Sequence, residues 1–246
     1  MKHSFIALAI TVAVCSSCAS SPNSPDAGSA RAPDPGKETS GLSKNWIASG
    51  KSYPEAGLFS GPIAWEAGQY IVTGTIAKGK YEQVTRQLIV GKEGDGWVIE
   101  SISTDKKGIT TGSQMLLKGL DAAMSSGNYG NITIGWMKQL NEKGEVNTVD
   151  AEQMRFFASF IKPVYESMLT SVGEFIEAGT IQVPAGSFAG TSLIETETKV
   201  LGKSIKSKTW YHSAVPINGM VKSLSDDGST LIELLSWGTD GEPRIK

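Results

Sequence analysis

Runs of β-branched and aromatic residues, broken by glycine-containing turns, constrain this chain more than any other feature. Gln69-Tyr70-Ile71-Val72-Thr73-Gly74-Thr75-Ile76 lies between Gly68 and Lys78-Gly79-Lys80, and Tyr81 to Val90 follows that short turn. Two such runs around a tight turn predict a hairpin. Glu93-Gly94-Asp95-Gly96 then turns the chain into Trp97-Val98-Ile99-Glu100-Ser101-Ile102-Ser103. Strands at ~10–12-residue spacing predict an antiparallel meander. Asn131 to Gln139 alternates Ile132, Ile134 and Trp136, a further strand, before Asn141-Glu142-Lys143-Gly144 turns the chain. After Gly179 the pattern resumes with Ile181-Gln182-Val183, Ser187 to Glu197, Ser204 to His212, Gly219 to Ser223 and Thr230 to Trp237. The ladder comes to roughly eight to ten strands. Gln114 to Ala123, with Met115, Leu116, Leu117 and Leu120, is too short for periodicity to separate helix from strand. Its neighbours favour strand.

Asp150 to Ala178 reads as the one long helix. Asp150 followed by Gln153 resembles a capping box. Met154, Phe157, Phe160, Ile161, Val164, Met168, Val172 and Phe175 recur at spacings of three and four, which makes one apolar stripe. Pro163 should kink it, and Gly179 should stop it. A sheet of this kind needs its apolar face covered, and this helix is the natural cover. The expected class is mainly β (α+β): an antiparallel curved sheet, or an incomplete barrel, packed around one long Pro-kinked amphipathic helix. Most such stripes are plain core. In a curved sheet, though, Met154, Phe157, Ile161, Val164, Met168 and Phe175 could also line an apolar cavity.

The N-terminus has a different logic. Lys2 precedes a short apolar run from Phe5 to Val14, followed by Cys15-Ser16-Ser17-Cys18. The run falls short of the ~20 apolar residues that span a bilayer, and its form is that of a secretory signal. Two small residues directly before Cys18 fit a lipoprotein signal, in which the cysteine becomes the acylated first residue. Cys15 stands where such signals usually carry Leu, so an ordinary signal cut without lipidation is the alternative. On the lipoprotein reading, 1–17 is the signal. Residues 18–44, rich in Ser, Pro, Ala, Asp and Gly, form a disordered tether, and 45–246 form a single β-rich domain. Ala19 and Ser20 lack the Asp that often retains lipoproteins in an inner membrane, which favours the outer membrane of a bacterial envelope.

Chemistry is sparse. Both cysteines of the chain lie in the signal region, so the body carries no disulfide framework. Of the two histidines, His3 leaves with the signal and His212 remains at a strand end, where a surface position is expected. One histidine without cysteine does not make a common zinc site. Gly91-Lys92-Glu93-Gly94-Asp95-Gly96 lacks the order of a phosphate loop, and Asp226-Asp227-Gly228 lacks a full calcium ligand set. No catalytic residue, metal or cofactor is expected. A formal net charge of −2 carries no basic footprint for nucleic acid. The expected partners are a membrane, through the acyl chains, and a lipid or an envelope protein; the chain is expected to be a monomer.

The last third carries recurring words. They are Val183-Pro184-Ala185-Gly186-Ser187-Phe188, then Trp210-Tyr211-His212-Ser213-Ala214-Val215-Pro216, then Gly219-Met220-Val221-Lys222. Trp65 to Ile71 forms an opening word. Together they resemble uncharacterised bacterial envelope lipoproteins of the DUF3108/TapB-like kind, over about Trp65 to Gly238. The resemblance implies a fold similar to the lipoprotein carriers LolA and LolB, a curled sheet around a helix, and implies no catalytic residues. Pro184 and Pro216 should sit at strand ends, Gly186 in a tight turn, and Phe188 and Trp210 in the core. The function this implies is a non-catalytic, membrane-anchored lipoprotein that binds an apolar ligand or lipidated partner in a cavity. The alternative is a structural or surface interaction lipoprotein with a solid core.

Overall fold

The computed structural model describes residues 50–60, 63–126, 131–150, 154, 175–200 and 203–246. The expected signal and tether, with Cys18, lie outside them. The described chain is one sheet of 12 strands. The first hairpin pairs β2 (Tyr70–Ala77) with β3 (Lys80–Glu93), as the Lys78-Gly79 turn predicts. The meander continues through β4 (Gly96–Asp105), β5 (Thr110–Lys118), β6 (Thr133–Leu140) and the short β7 (Val146–Thr148). The ambiguous Gln114–Ala123 segment splits: its first half is in β5, and Leu120 opens the helix α1 (Leu120–Ser126). The second half of the chain adds β8 (Ile176–Val183), β9 (Gly186–Val200), β10 (Lys203–Tyr211), β11 (Met220–Ser225) and β12 (Thr230–Gly238). β12 pairs with β2, so the two halves fuse into a continuous antiparallel sheet.

The β9 end has a seam. A two-residue stretch, β1 (Ser52–Tyr53), pairs in parallel with Ser187 and Phe188. β10 pairs with β9 from Ser192 onward. β8 already holds the opposite edge of β9, so β1 extends the line that β10 leaves off. The turn between β8 and β9 also bends back over the sheet, where the Ala185 N–H donates to the Leu234 carbonyl at 3.1 Å.

Period-two alternation sorts residues onto two faces. One face carries the main core: Ile71, Ile89, Trp97, Met115, Leu117, Met137, Val183, Phe188, Val215, Val221 and Leu234 are all buried, and Trp65, Trp237 and Tyr53 pack on them. The other carries a smaller cluster of Tyr70, Val72, Leu88 and Leu235.

The expected wrapping of the sheet around a long kinked helix is corrected. Glu177 and Gly179 lie inside β8 and pair with Ser192 and Thr191, so the helix cannot run to Ala178 or be stopped by Gly179. Periodicity carried the stripe through Phe175, but a β-rich stretch with an open edge of β9 beside it gains a full ladder of hydrogen bonds as strand. The Met154 N–H bonds to the Asp150 carbonyl at 2.8 Å. Phe157, Ile161, Val164 and Met168 lie outside the described residues. Among the described residues the helix is the short α1, and no ladder joins β7 to β8. The sheet is open and supplies much of its own cover, through the β8–β9 corner on one face and the C-terminal segment on the other. No helix among the described residues is long and apolar enough to cross a membrane.

Candidate functional site

The recurring words of the last third converge in space. Val183 and Gly186 pair across the Pro184-Ala185 turn. Val183, Ala185, Phe188, Val215 and Val221 all enter the main core. Phe188 stacks on Tyr53 with ring centroids 4.4 Å apart, and Tyr53 lies 5.6 Å from Trp237. Burial raises the pKa of the Tyr53 phenol, and the neighbouring Trp237 indole opposes part of that rise. Pro216 is buried in the connection between β10 and β11. Trp210 departs from expectation. It pairs with Lys222 across β10 and β11 on the face away from Val221, half-buried, with the Lys222 ammonium 5.7 Å from its ring centre. Pleat parity, not hydrophobicity, decides this.

Two glycines of these words are required by close approach. Gly186 has φ +145°, and a Cβ there would sit 2.7 Å from the Lys51 carbonyl oxygen. Gly219 has φ +75°, and a Cβ would sit 2.5 Å from the Phe59 ring. Gly186 lets the chain entering β1 lie against the sheet, and Gly219 does the same for Phe59 beyond β1. Phe59 is anchored by its N–H to Ser192 Oγ at 2.8 Å and packs 5.4 Å from Phe175 and 5.2 Å from Tyr211. Phe175, expected on a cavity wall, therefore sits in an aromatic trio, and burial raises the pKa of the Tyr211 phenol in it. Met154, the other described residue of the expected lining, packs against the main core.

His212 is not at the surface. It is 3% exposed and fills the seam where β10 ends and β1 begins. Its Nε2 lies 3.1 Å from both the Pro54 and Ala189 carbonyls, while Nδ1 accepts the Ala214 N–H at 3.1 Å. These contacts assign the proton to Nε2. Every ring nitrogen is committed to backbone, so the side chain acts as a bracket. Beside it, the Asn218 N–H bonds to the Pro216 carbonyl at 2.8 Å and Ile217 has φ +69°. This tight three-residue turn with a left-handed centre is rare for a β-branched residue. The Trp65 indole N–H pins it by donating to the Ile217 carbonyl at 2.9 Å.

The opposite face holds a polar cluster that sequence inspection did not single out. Glu100 is fully buried and accepts the Arg244 N–H and the Ile245 N–H, the latter at 2.8 Å. Arg86 lies 3.6 Å from Glu100 and donates to the Glu242 carbonyl at 3.0 Å. Gln114 donates to the Ile245 carbonyl at 2.9 Å. Three adjacent strands thus hold the C-terminal segment flat against the sheet. The available signal was a charged or amide residue at an inward position of each of three neighbouring strands.

The main core face is itself divided. Ile89, Ile99, Met115 and Met137 form an apolar row across β3 to β6. The next row is Gln87, Ser101, Ser113 and Gln139, continuing to Asn147 of β7 on one side and through Ile71 to Trp237 on the other. Beyond it come Thr73, Thr85, Ser103 and Thr111, where the Thr85 and Ser103 hydroxyls share a hydrogen bond of 2.9 Å. Among the described residues, no group of three or more His, Cys, Asp and Glu gathers as a metal site.

No family model matches the sequence, and no curated protein matches it. The DUF3108/TapB-like resemblance therefore rests on the quoted words alone. Two solved structures are similar at low level. One is a Parabacteroides distasonis protein described as a lipoprotein, at 14% identity and a TM-score of 0.34, covering 75% of this chain and 100% of its own. The other is PNGF-II, at 12% identity and a TM-score of 0.27, covering 69% of this chain; the match spans 27% of PNGF-II. At such scores neither likeness carries a functional argument.

Proposed function

We propose that this chain is a non-catalytic lipoprotein of a bacterial envelope, anchored through acyl chains on Cys18 and carrying its sheet domain on the 18–44 tether as a surface interaction module. The observation that carries the anchor is Ser16-Ser17-Cys18 directly after a short apolar run. Acyl carbons contribute about 0.8 kcal/mol per buried CH₂, and two or more chains suffice for stable attachment. The solid-core reading of the body is favoured over the apolar-cavity reading by the packing of Met154 against the core and of Phe175 within its aromatic trio. Retention in the outer membrane belongs to the same proposal, because Ala19 and Ser20 follow the cysteine.

Intact-mass analysis of the protein extracted from its native membrane tests the anchor. The expected mass is that of a chain beginning at an acylated Cys18, and Cys18→Ala should move the protein out of the membrane fraction. A mature chain starting beyond Cys18, or carrying it unmodified, overturns the proposal. Separation of the inner and outer membranes on a density gradient tests the location.

A further inference from the structure

We propose that the open part of the sheet face opposite the main core, centred on β11 and β12, is the interface through which two copies of this chain pair about a two-fold axis. The inference goes beyond membrane anchoring and does not depend on it, and it replaces the monomer expected from sequence. The C-terminal segment covers only one end of this face, where Gly241 lies against Tyr70, Arg86 and Leu88. Toward the Lys78-Gly79 turn the face stays open. Ile176 pairs with Leu193, and Leu193 with Trp210, so three apolar side chains stand side by side on β8, β9 and β10. One row further on, Leu224 of β11 pairs with Leu231 of β12, and Leu231 with Ile76 of β2. Ile176 is 52% exposed, and the other five are half-buried. An apolar sheet face is stable under a second layer, and a contiguous exposed apolar patch marks an interaction surface.

The order of charges and side-chain sizes selects the occupant. Beyond Trp210 the first row continues through Lys222 of β11, Glu233 of β12, Gly74 of β2 and Val84 of β3. A two-fold axis between β11 and β12, parallel to the strands, exchanges positions at equal distances on its two sides. It sets Lys222 of each copy against Glu233 of the other, and Leu224 against Leu231. It also sets Trp210 over Gly74, whose missing side chain is replaced by the Tyr81 ring, and Leu193 over Val84. The patch is therefore complementary to itself in charge and in size, as a two-fold interface between identical chains requires. Lys222 lies over the Trp210 ring and Glu233 accepts the Tyr81 hydroxyl, so both charges are held in place with bonding capacity left for a partner. Lys208, which the axis brings over Ile76, is paired within its own copy to Glu195 at 3.0 Å. Six inter-strand steps from β8 to β3 make the patch about 29 Å wide, which suits an interface burying about 800 Å² on each partner. Face-to-face packing of two such sheets is the arrangement of a β-sandwich.

Sedimentation equilibrium of the full-length chain carrying Cys18→Ala, which removes acyl chains from the question, tests this. A monomer–dimer equilibrium is expected at concentrations on the order of 10–100 µM. Lys222→Glu and Glu233→Lys should each weaken self-association about tenfold or more, because each sets like charges together twice across the axis. Mixed in equal amounts, the two variants should associate with each other, since one presents two anions and the other two cations. The double variant Lys222→Glu with Glu233→Lys should regain self-association at a melting temperature near that of the parent. If a single variant melts early, the double variant decides: regained dimerisation supports the axis, and its loss refutes it. The interface is also refuted if the parent chain stays monomeric through that range, if it forms larger assemblies, if folded single variants dimerise as the parent does, or if their mixture does not associate. A monomeric chain would leave the acyl anchor standing, and an unmodified Cys18 in the mature protein would leave the dimer standing.

Discussion

Asp121 accepts hydrogen bonds from Lys92 Nζ and from the Trp97 indole, each at 2.7 Å. The Lys92 bond first, then that from Trp97, holds its carboxyl below its usual 3.8. A folded-state pKa below the unfolded one adds stability that is present above 3.8 and is lost as pH falls through the depressed value. The pair is more than half exposed, so its contribution is at most about 1 kcal/mol. Asp121→Asn should lower stability in urea at neutral pH and match the parent once pH falls below the carboxylate range. A gap that persists in acid would mean that shape, not charge, matters there. Glu233 shows the converse effect, since burial first and its carboxylate second push the Tyr81 phenol upward. His212 was placed at the surface by sequence, because its ring partners Pro54 and Ala189 lie 158 and 23 residues away in the chain. No local pattern encodes a contact of that range.

Elements whose pairing is local were the legible ones. The Lys78-Gly79 and Gly94-Asp95 turns join strands that meet immediately, so β2, β3 and β4 follow from spacing alone. β8 was not legible, since its identity as strand depends on the free edge of β9. The glycines separate local from tertiary causes. Gly94 has φ +60° and open space around it, whereas Gly219 has φ +75° with the Phe59 ring 2.5 Å from where a Cβ would be. Gly94→Ala should cost about 1 kcal/mol from backbone strain alone. Gly219→Ala should cost about 2–4 kcal/mol, because strain and overpacking add. Thermal denaturation of both variants checks the difference, and equal losses would show that Phe59 yields freely.

For the whole molecule, the C-terminal segment covers the smaller apolar face, and Glu100 holds it. Glu100→Ala would remove the carboxylate that faces Arg86 and leave two backbone N–H groups unbonded, a loss of about 3 kcal/mol. Truncation after Asp240 removes the same bonds from the other side. If the latch acts as a unit, the double variant should be no less stable than the worse single one, as read from urea denaturation in a double-mutant cycle. Additive losses would show that Glu100 stabilises the sheet independently of the tail.

Sequence alone determined that this is a mainly β chain and where its hairpins turn, because turn chemistry and period-two alternation are local properties. Ser16-Ser17-Cys18, on which the proposed anchor rests, lies outside the described residues. Tertiary structure decided that β12 joins β2, that Phe175 and Ile176 meet the sheet as part of an aromatic trio and a strand, that Trp210 faces away from the core, and that Gln87, Ser101, Ser113 and Gln139 form one row. The reason is register. Each of these facts depends on which residue of one strand stands opposite which residue of another, and a shift of one residue would reverse every face.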